Sequence, residues 1–162
     1  RILLFRLRHM HAKIVGLHIS QGGVPKSPVN DLLVSYEGCL GDSQNDLKHH
    51  GGKSKAVCLF QAEIIEKLSS EGHYIYPGST GENILIQGIK LGMIKPGSII
   101  KFPNLQLQIT QDAPPCKTIK SSFIDGDFTK ISHKKNPNYT RWYAKVIQNG
   151  NIRIGDSVLV LN

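Results

Sequence analysis

Apolar and polar residues alternate through much of this chain. Between positions 105 and 110, Leu105, Leu107 and Ile109 are separated by glutamines, the period of two that marks a half-buried strand. The stretch GSIIKFPNLQLQIT (97–110) therefore predicts a hairpin turned at Pro103-Asn104. AKIVGLHIS (12–20), DLLVSYEG (31–38) and ENILIQG (82–88) read as further strands, and the continuous apolar run AVCLFQ (56–61) suits a strand covered on both faces. The period changes after residue 61: Ile64, Ile65 and Leu68 fall at helical spacing, and Gly72 supplies a stop. PNYTRWYAKVIQNG (137–150) reads as a second helix closed by Asn149-Gly150, and CKTIKSSFI (116–124) as a short one. The end, NIRIGDSVLVLN, reads as strand, Gly-Asp turn, strand, with Gly155-Asp156 as a hairpin turn holding a barrel shut. The expected strands are 12–19, 56–61, 98–102, 105–110 and 157–161, and the expected helices cover parts of 62–70 and 139–148. Many short strands, glycine-rich turns and few helices predict a β-rich α+β domain with a barrel-like sheet.

At 162 residues, 40% hydrophobic and 20% charged, the chain fits one folded domain with a substantial core. No apolar run approaches the ~20 residues that span a bilayer. RILLFRLRH, residues 1–9, reads as an upstream extension or an artificial addition, with Met10 as the natural start and 10–162 as a single domain. The net charge of +8 favours anionic partners. No basic stretch is interleaved with stacking rings, so nucleic acid is not the expected one.

One loop concentrates polar chemistry. GDSQNDLKHHGGKSKAV (41–57) carries Asp42, Asp46, His49, His50, Gly51, Gly52, Lys53 and Lys55 just before an apolar strand. Glycine lets a backbone approach a ligand closely, and successive glycine N–H groups can form an anion nest. With Lys53 and Lys55 alongside, the loop is a candidate anion site. It is not a nucleotide P-loop, because position 47, where the first glycine belongs, is Leu47 and a strand follows. Adjacent His49 and His50 point opposite ways on an extended chain and rarely share one ion. The plainer readings are a hydrogen-bonded loop histidine at His50 and a turn-capping carboxylate at Asp42.

The second cluster is ITQDAPPCKTI (109–119). Pro114 and Pro115 stiffen the approach to Cys116, and Lys117 follows it. A thiol beside a cation at the start of a helix gains thiolate character, the form that attacks, accepts sulfur and ligates soft metals. Cys58, inside AVCLF, reads as an ordinary buried cysteine, and Cys39 stays open. Three cysteines without a C-x-x-C pair or an export signal fit reduced thiols in a cytoplasm.

These residues together resemble the MOSC domain, the family named for the C-terminal part of molybdenum cofactor sulfurases. GCLGDSQNDLKHHGGKSKAV is similar to the family's G-x-x-G-D…H-G-G…K-A-V segment. GSTGENILIQG is similar to its G-E-N block, and Cys116 stands where the family places its cysteine. WYAKVIQNGNIRIGDSVLV is similar to the closing block. The four pieces keep the family's order over roughly residues 12–160. The stretch before Cys116 is DAPP, where some members carry a basic residue; Lys117 and Arg141 could replace that charge.

The resemblance implies a β-barrel like that of the small domain of pyruvate kinase, with a few flanking helices, and binding of molybdenum cofactor. The family cysteine, here Cys116, is associated with carrying sulfur or ligating molybdenum. Some members sulfurate the cofactor beside a pyridoxal-phosphate desulfurase domain, and others reduce N-hydroxylated compounds. The chain reads as a stand-alone cytoplasmic member needing an outside sulfur donor or electron-transfer protein. On that reading Gly51 and Gly52, with Lys53 or Lys55, face the pterin phosphate. Cys116 faces molybdenum, and Arg141 adds an anion contact. Glu82 and Asn83 either meet the pterin's polar edge or hold the turn before the strand at 84–86. Two functions stay open: a cofactor-dependent reductase, and a carrier of cofactor or sulfur.

Overall fold

The computed structural model describes residues 12–43 and 52–162. His49, His50 and Gly51, like residues 1–9, lie outside the described residues. Eight strands form one mixed sheet: β1 (Lys13–Ile19), β2 (Ser27–Pro28), β5 (Val57–Gln61), β6 (Ile84–Gln87), β7 (Ile99–Phe102), β8 (Leu105–Ala113), β9 (Arg141–Gln148) and β11 (Leu159–Leu161). Their order is β11-β7-β8-β9-β5-β6-β1-β2. A smaller sheet joins β10 (Gly150–Arg153), β3 (Asp31–Ser35) and β4 (Gly38–Cys39). β5 and β6 are parallel, and the crossover between them carries α1 (Ala62–Ser70). The turn at Pro103-Asn104 joins β7 to β8 with Phe102 opposite Leu105.

Two sequence expectations are corrected. The first is the helix at 139–148, which is β9. Arg141, Trp142, Tyr143 and Ala144 are all buried, because β9 lies between β8 and β5 with packing on both faces. Trp142 and Ala144 join the main core with Ile14, Leu59 and Leu107, while Tyr143 packs on the opposite face with Cys58 and Ala113. A strand covered on both sides loses its alternation and imitates a helical spacing. The second correction is the barrel, since the sheet is not closed. β10 and β11 do not pair with each other: β10 pairs with β3 and β11 with β7. The Gly155-Asp156 turn between them bonds to Ile14 of β1 in both directions, at 2.9 Å each. A turn and one isolated bridge, Lys13 to Ser157, thus stand where a closing ladder would run.

The second face of the large sheet positions the site. It carries α1, whose Ile64, Ile65 and Leu68 pack with Phe60, Ile119 and Phe123. The segment after β8 folds into 3-10 turns (Lys117–Ser122, Ile124–Gly126 and Phe128–Ile131), so the short helix read at 116–124 is present in this tighter form. Next to these layers the sheet carries the small cluster of Cys58, Ala113 and Tyr143. The gap above that small cluster is a cavity.

Candidate functional site

The strand register builds the floor of this cavity. Cys58 of β5 stands opposite Tyr143 of β9. On the other side the Cys58 N–H donates to Asn83 Oδ1 at 3.0 Å, and the Asn83 N–H donates to Cys58 O at 2.8 Å. Arg141 opens β9 opposite Ala113, the last residue of β8. The walls come from loops: Gly23 to Lys26, Thr80 and Gly81, and Cys116 to Ile119. The cavity measures about 330 Å³, within the range that holds a small organic ligand.

The GSTGEN loop has its composition for local reasons. Gly78 has φ +87, and a Cβ there would sit 2.3 Å from Lys26 O. The Lys26 N–H in turn donates to Gly78 O at 2.9 Å. Glu82, fully buried, accepts from the Gly78 N–H at 2.8 Å and from Thr80 Oγ1 at 3.1 Å. Burial pushes its carboxyl above the usual range, against the opposing pull of these donors and of Arg141. Of the two roles open to Glu82, the structure shows the turn-holding one. Asn83 likewise spends its amide internally: Oδ1 on Cys58, and Nδ2 on His18 O at 3.2 Å and Asp42 Oδ2 at 3.1 Å.

Asp42, expected at the ligand, works behind the wall. It accepts from the Ser20 N–H at 2.9 Å and pairs with the Lys26 ammonium at 2.7 Å. Gly52 and Lys53 are exposed at a 3-10 turn (Lys53–Lys55) and do not line the cavity, while the rest of the expected anion loop, Gly51 and His50 included, lies outside the described residues. Lys55 does reach it and lies 5.5 Å above the Tyr143 ring. Among the sequence candidates, the structure brings Lys55, Asn83, Cys116, Lys117 and Arg141 to one surface. Lys26, Thr80 and Tyr143 are additions; the one signal for Lys26 was a lysine ending a glycine-proline loop.

Four cations line the cavity, Lys26, Lys55, Lys117 and Arg141, and no carboxylate does among the described residues. Arg141 is 6% exposed and donates to the carbonyls of Thr80 and Ala113, while its buried Nε has no partner among the described residues. Two thiols share the space. Cys116 is half-buried, its Sγ 2.9 Å from Thr118 Oγ1. Cys58 is buried, and desolvation pushes its thiol up to about 11. Burial also holds the Tyr143 hydroxyl protonated well above its ordinary range. No group of three or more His, Cys, Asp or Glu side chains converges as a metal cage among the described residues.

A half-buried thiol in a cationic hollow, beside a G-E-N loop and an aspartate after glycine, agrees with a wider comparison. The profile of the MOSC domain matches residues 46–159. The chain belongs to the MOSC domain family. It is 27% identical to the uncharacterized protein YflK of Bacillus subtilis over 86% of its own length and 63% of that protein. It is 23% identical to the protein YiiM of Escherichia coli over 75% of its own length and 55% of that protein. The MOSC chain thus spans less than two thirds of these curated relatives. The crystal structure of the YuaD protein of Bacillus subtilis superposes with a TM-score of 0.70 at 19% identity, covering 92% of this chain and 94% of that one. That likeness shows a shared fold.

Proposed function

We propose that the cavity binds molybdenum cofactor and that the chain uses it to reduce N-hydroxylated compounds. One observation carries this reading: a half-buried thiol and a buried guanidinium with an unpartnered Nε line one cavity that no carboxylate enters among the described residues. The donor set fits the group. Cys116 supplies the soft ligand that molybdenum takes. Arg141, Lys117 and Lys55 supply the charge that oxo groups and a phosphate require. The bound cofactor would deliver the electron pair that breaks an N–O bond.

The chain's own residues do the rest. Pro114 and Pro115 restrict the approach of Cys116. Arg141, clamped by two carbonyls, holds positive charge in a desolvated place where it acts strongly. Tyr143 keeps its hydroxyl proton at neutral pH and lines the same cavity, so it can donate a hydrogen bond to an oxygen of a bound ligand. A second reading, a carrier that holds cofactor or sulfur for a partner, draws on the partial exposure of Cys116. Electrons or sulfur would come from a donor outside the described domain in either case.

Protein from a host that makes the cofactor should be assayed for molybdenum and pterin, then for hydroxylamine reduction with an artificial electron donor. Molybdenum retained with turnover supports the reductase. Molybdenum retained without turnover supports the carrier. Protein free of both molybdenum and pterin overturns the reading.

A further inference from the structure

Strand β8 carries one residue more than β9 matches beside the cavity. Ile109 stands opposite Ala144 and Gln111 opposite Tyr143, so Thr110 is the extra residue of a β-bulge. A one-residue slip turns every later side chain to the other face. Leu105, Leu107 and Ile109 pack in the main core, and unbroken alternation would send Ala113 there too. Ala113 packs instead with Cys58 and Tyr143 on the cavity face. The bulge is thus where β8 changes from a core strand into part of the cavity floor.

The bulged residue also makes a contact of its own. Thr110 Oγ1 donates to Ser54 O at 2.6 Å and reaches Tyr143 O at 3.2 Å. Ser54 is the middle of the 3-10 turn Lys53–Lys55, which has three residues and no side-chain cap at Gly52. So short a turn holds its own geometry weakly. The next residue is Lys55, whose ammonium lies 5.5 Å above the Tyr143 ring and lines the cavity. One hydroxyl therefore meets the backbone on both sides of this cation–ring pair: the carbonyl just before Lys55 and the carbonyl of Tyr143 itself. A free lysine loses much rotamer entropy when a ligand fixes it. Holding its backbone and laying it on a ring beforehand lowers that cost.

We propose that Thr110 is the positioning residue for Lys55. The bulge aims its hydroxyl at the 53–55 turn and so holds the lysine where it meets an anionic group in the cavity. This deepens the cofactor reading and rests on it for placing an anionic ligand there. Thr110 does not line the cavity, so its effect on a ligand passes through Lys55.

The test is a double-mutant cycle read by calorimetric titration of cofactor-free protein with sulfate. Thr110→Val keeps the branched shape and removes the hydroxyl. It should weaken sulfate about three- to tenfold, as loss of one hydrogen bond implies. Lys55→Met should weaken it about tenfold or more, because a charge-assisted bond is lost. The double variant should bind no more weakly than Lys55→Met, since the two residues act in series. Thr110→Ser, which keeps the hydroxyl, should bind as wild type does. A general structural role for Thr110 would instead lower affinity equally with or without Lys55. Such equal losses, undiminished binding in Thr110→Val, failure of serine to restore it, or no sulfate binding by folded wild type overturns the proposal. Any of these results beside cofactor retained in the preceding experiment removes the role of Thr110 alone; a coupled loss in protein that never acquires pterin removes the cofactor reading alone.

Discussion

The Lys26 ammonium and the Asp42 carboxylate lie 2.7 Å apart, and only 5% of each side chain is exposed. Asp42 is the aspartate of the glycine-aspartate motif, and its oxygens also take the Ser20 N–H and the Asn83 amide. The motif thus acts by fixing a cation at the cavity wall and by tying the 20–26 loop to the start of β6. Asp42→Asn leaves the ammonium buried without its counter-charge. We expect a loss of about 3–5 kcal/mol in chemical denaturation. The double variant Asp42→Asn with Lys26→Met should recover a large part of it; a double variant as unstable as the single one would show that the pair is not the source.

Asn83 links three segments through one amide: β5 at the Cys58 N–H, β1 at His18 O, and the Asp42 carboxylate. Asn83→Ala orphans a buried N–H and a buried carbonyl. The expected cost is about 3 kcal/mol, from penalties of ~1–3 kcal/mol per unsatisfied group. Faster amide exchange at Cys58 is the measurement that ties the loss to this bond.

Two glycines of similar conformation should respond differently. Gly78 (φ +87) would put a Cβ 2.3 Å from Lys26 O, whereas Gly52 (φ +80) has nothing within 4 Å. Gly78→Ala should cost about 3 kcal/mol or more, combining backbone strain with a backbone clash. Gly52→Ala should cost about 1 kcal/mol, from strain alone, and leave anion binding unchanged because Gly52 is not in the wall. Thermal melts and sulfate titration of both variants check this.

Burial raises Cys58 to about 11 and Cys39 to about 12, from 9.0. Near pH ~8 a small alkylating agent should therefore mark half-buried Cys116 and spare the other two. The same shifts fix a pH dependence. An acid whose folded pKa is raised favours the folded state below its unfolded pKa, and that advantage is lost as pH rises. Stability should fall between pH 9.0 and 11–12, by on the order of 3–4 kcal/mol per thiol. Cys39→Ala with Cys58→Ala should flatten this decline in urea denaturation across the window.

The sequence made the alternating strands legible. Leu105, Leu107 and Ile109 face the core as their spacing requires, and Ile64, Ile65 and Leu68 bury one helix face. It hid β9, because Trp142 and Tyr143 are buried on opposite faces, so no polar residue marks the period across 142–144. The site was half legible. Cys116 stood out by its prolines, and Arg141, Lys55 and Lys117 by their charge. Lys26 and Tyr143 did not, since their place in the wall follows from loop packing and cross-strand register, which local composition does not encode. The glycine nest was read from composition alone, and Gly52 packs outside the wall.

The position of β9 also sets when the cavity can exist. During synthesis Lys26, Cys58, Asn83 and Cys116 leave the ribosome before Arg141 and Tyr143, yet those last two belong to the strand that fills the middle of the sheet. Until it inserts, β5 and β8 each present an unpaired edge, and the buried guanidinium is missing. Capture of the proposed ligand would therefore be a late event, open only to chains whose translation has passed Gln148. A nascent chain arrested before residue 141 should retain none, so ligand occupancy works as a built-in report that the sheet is finished.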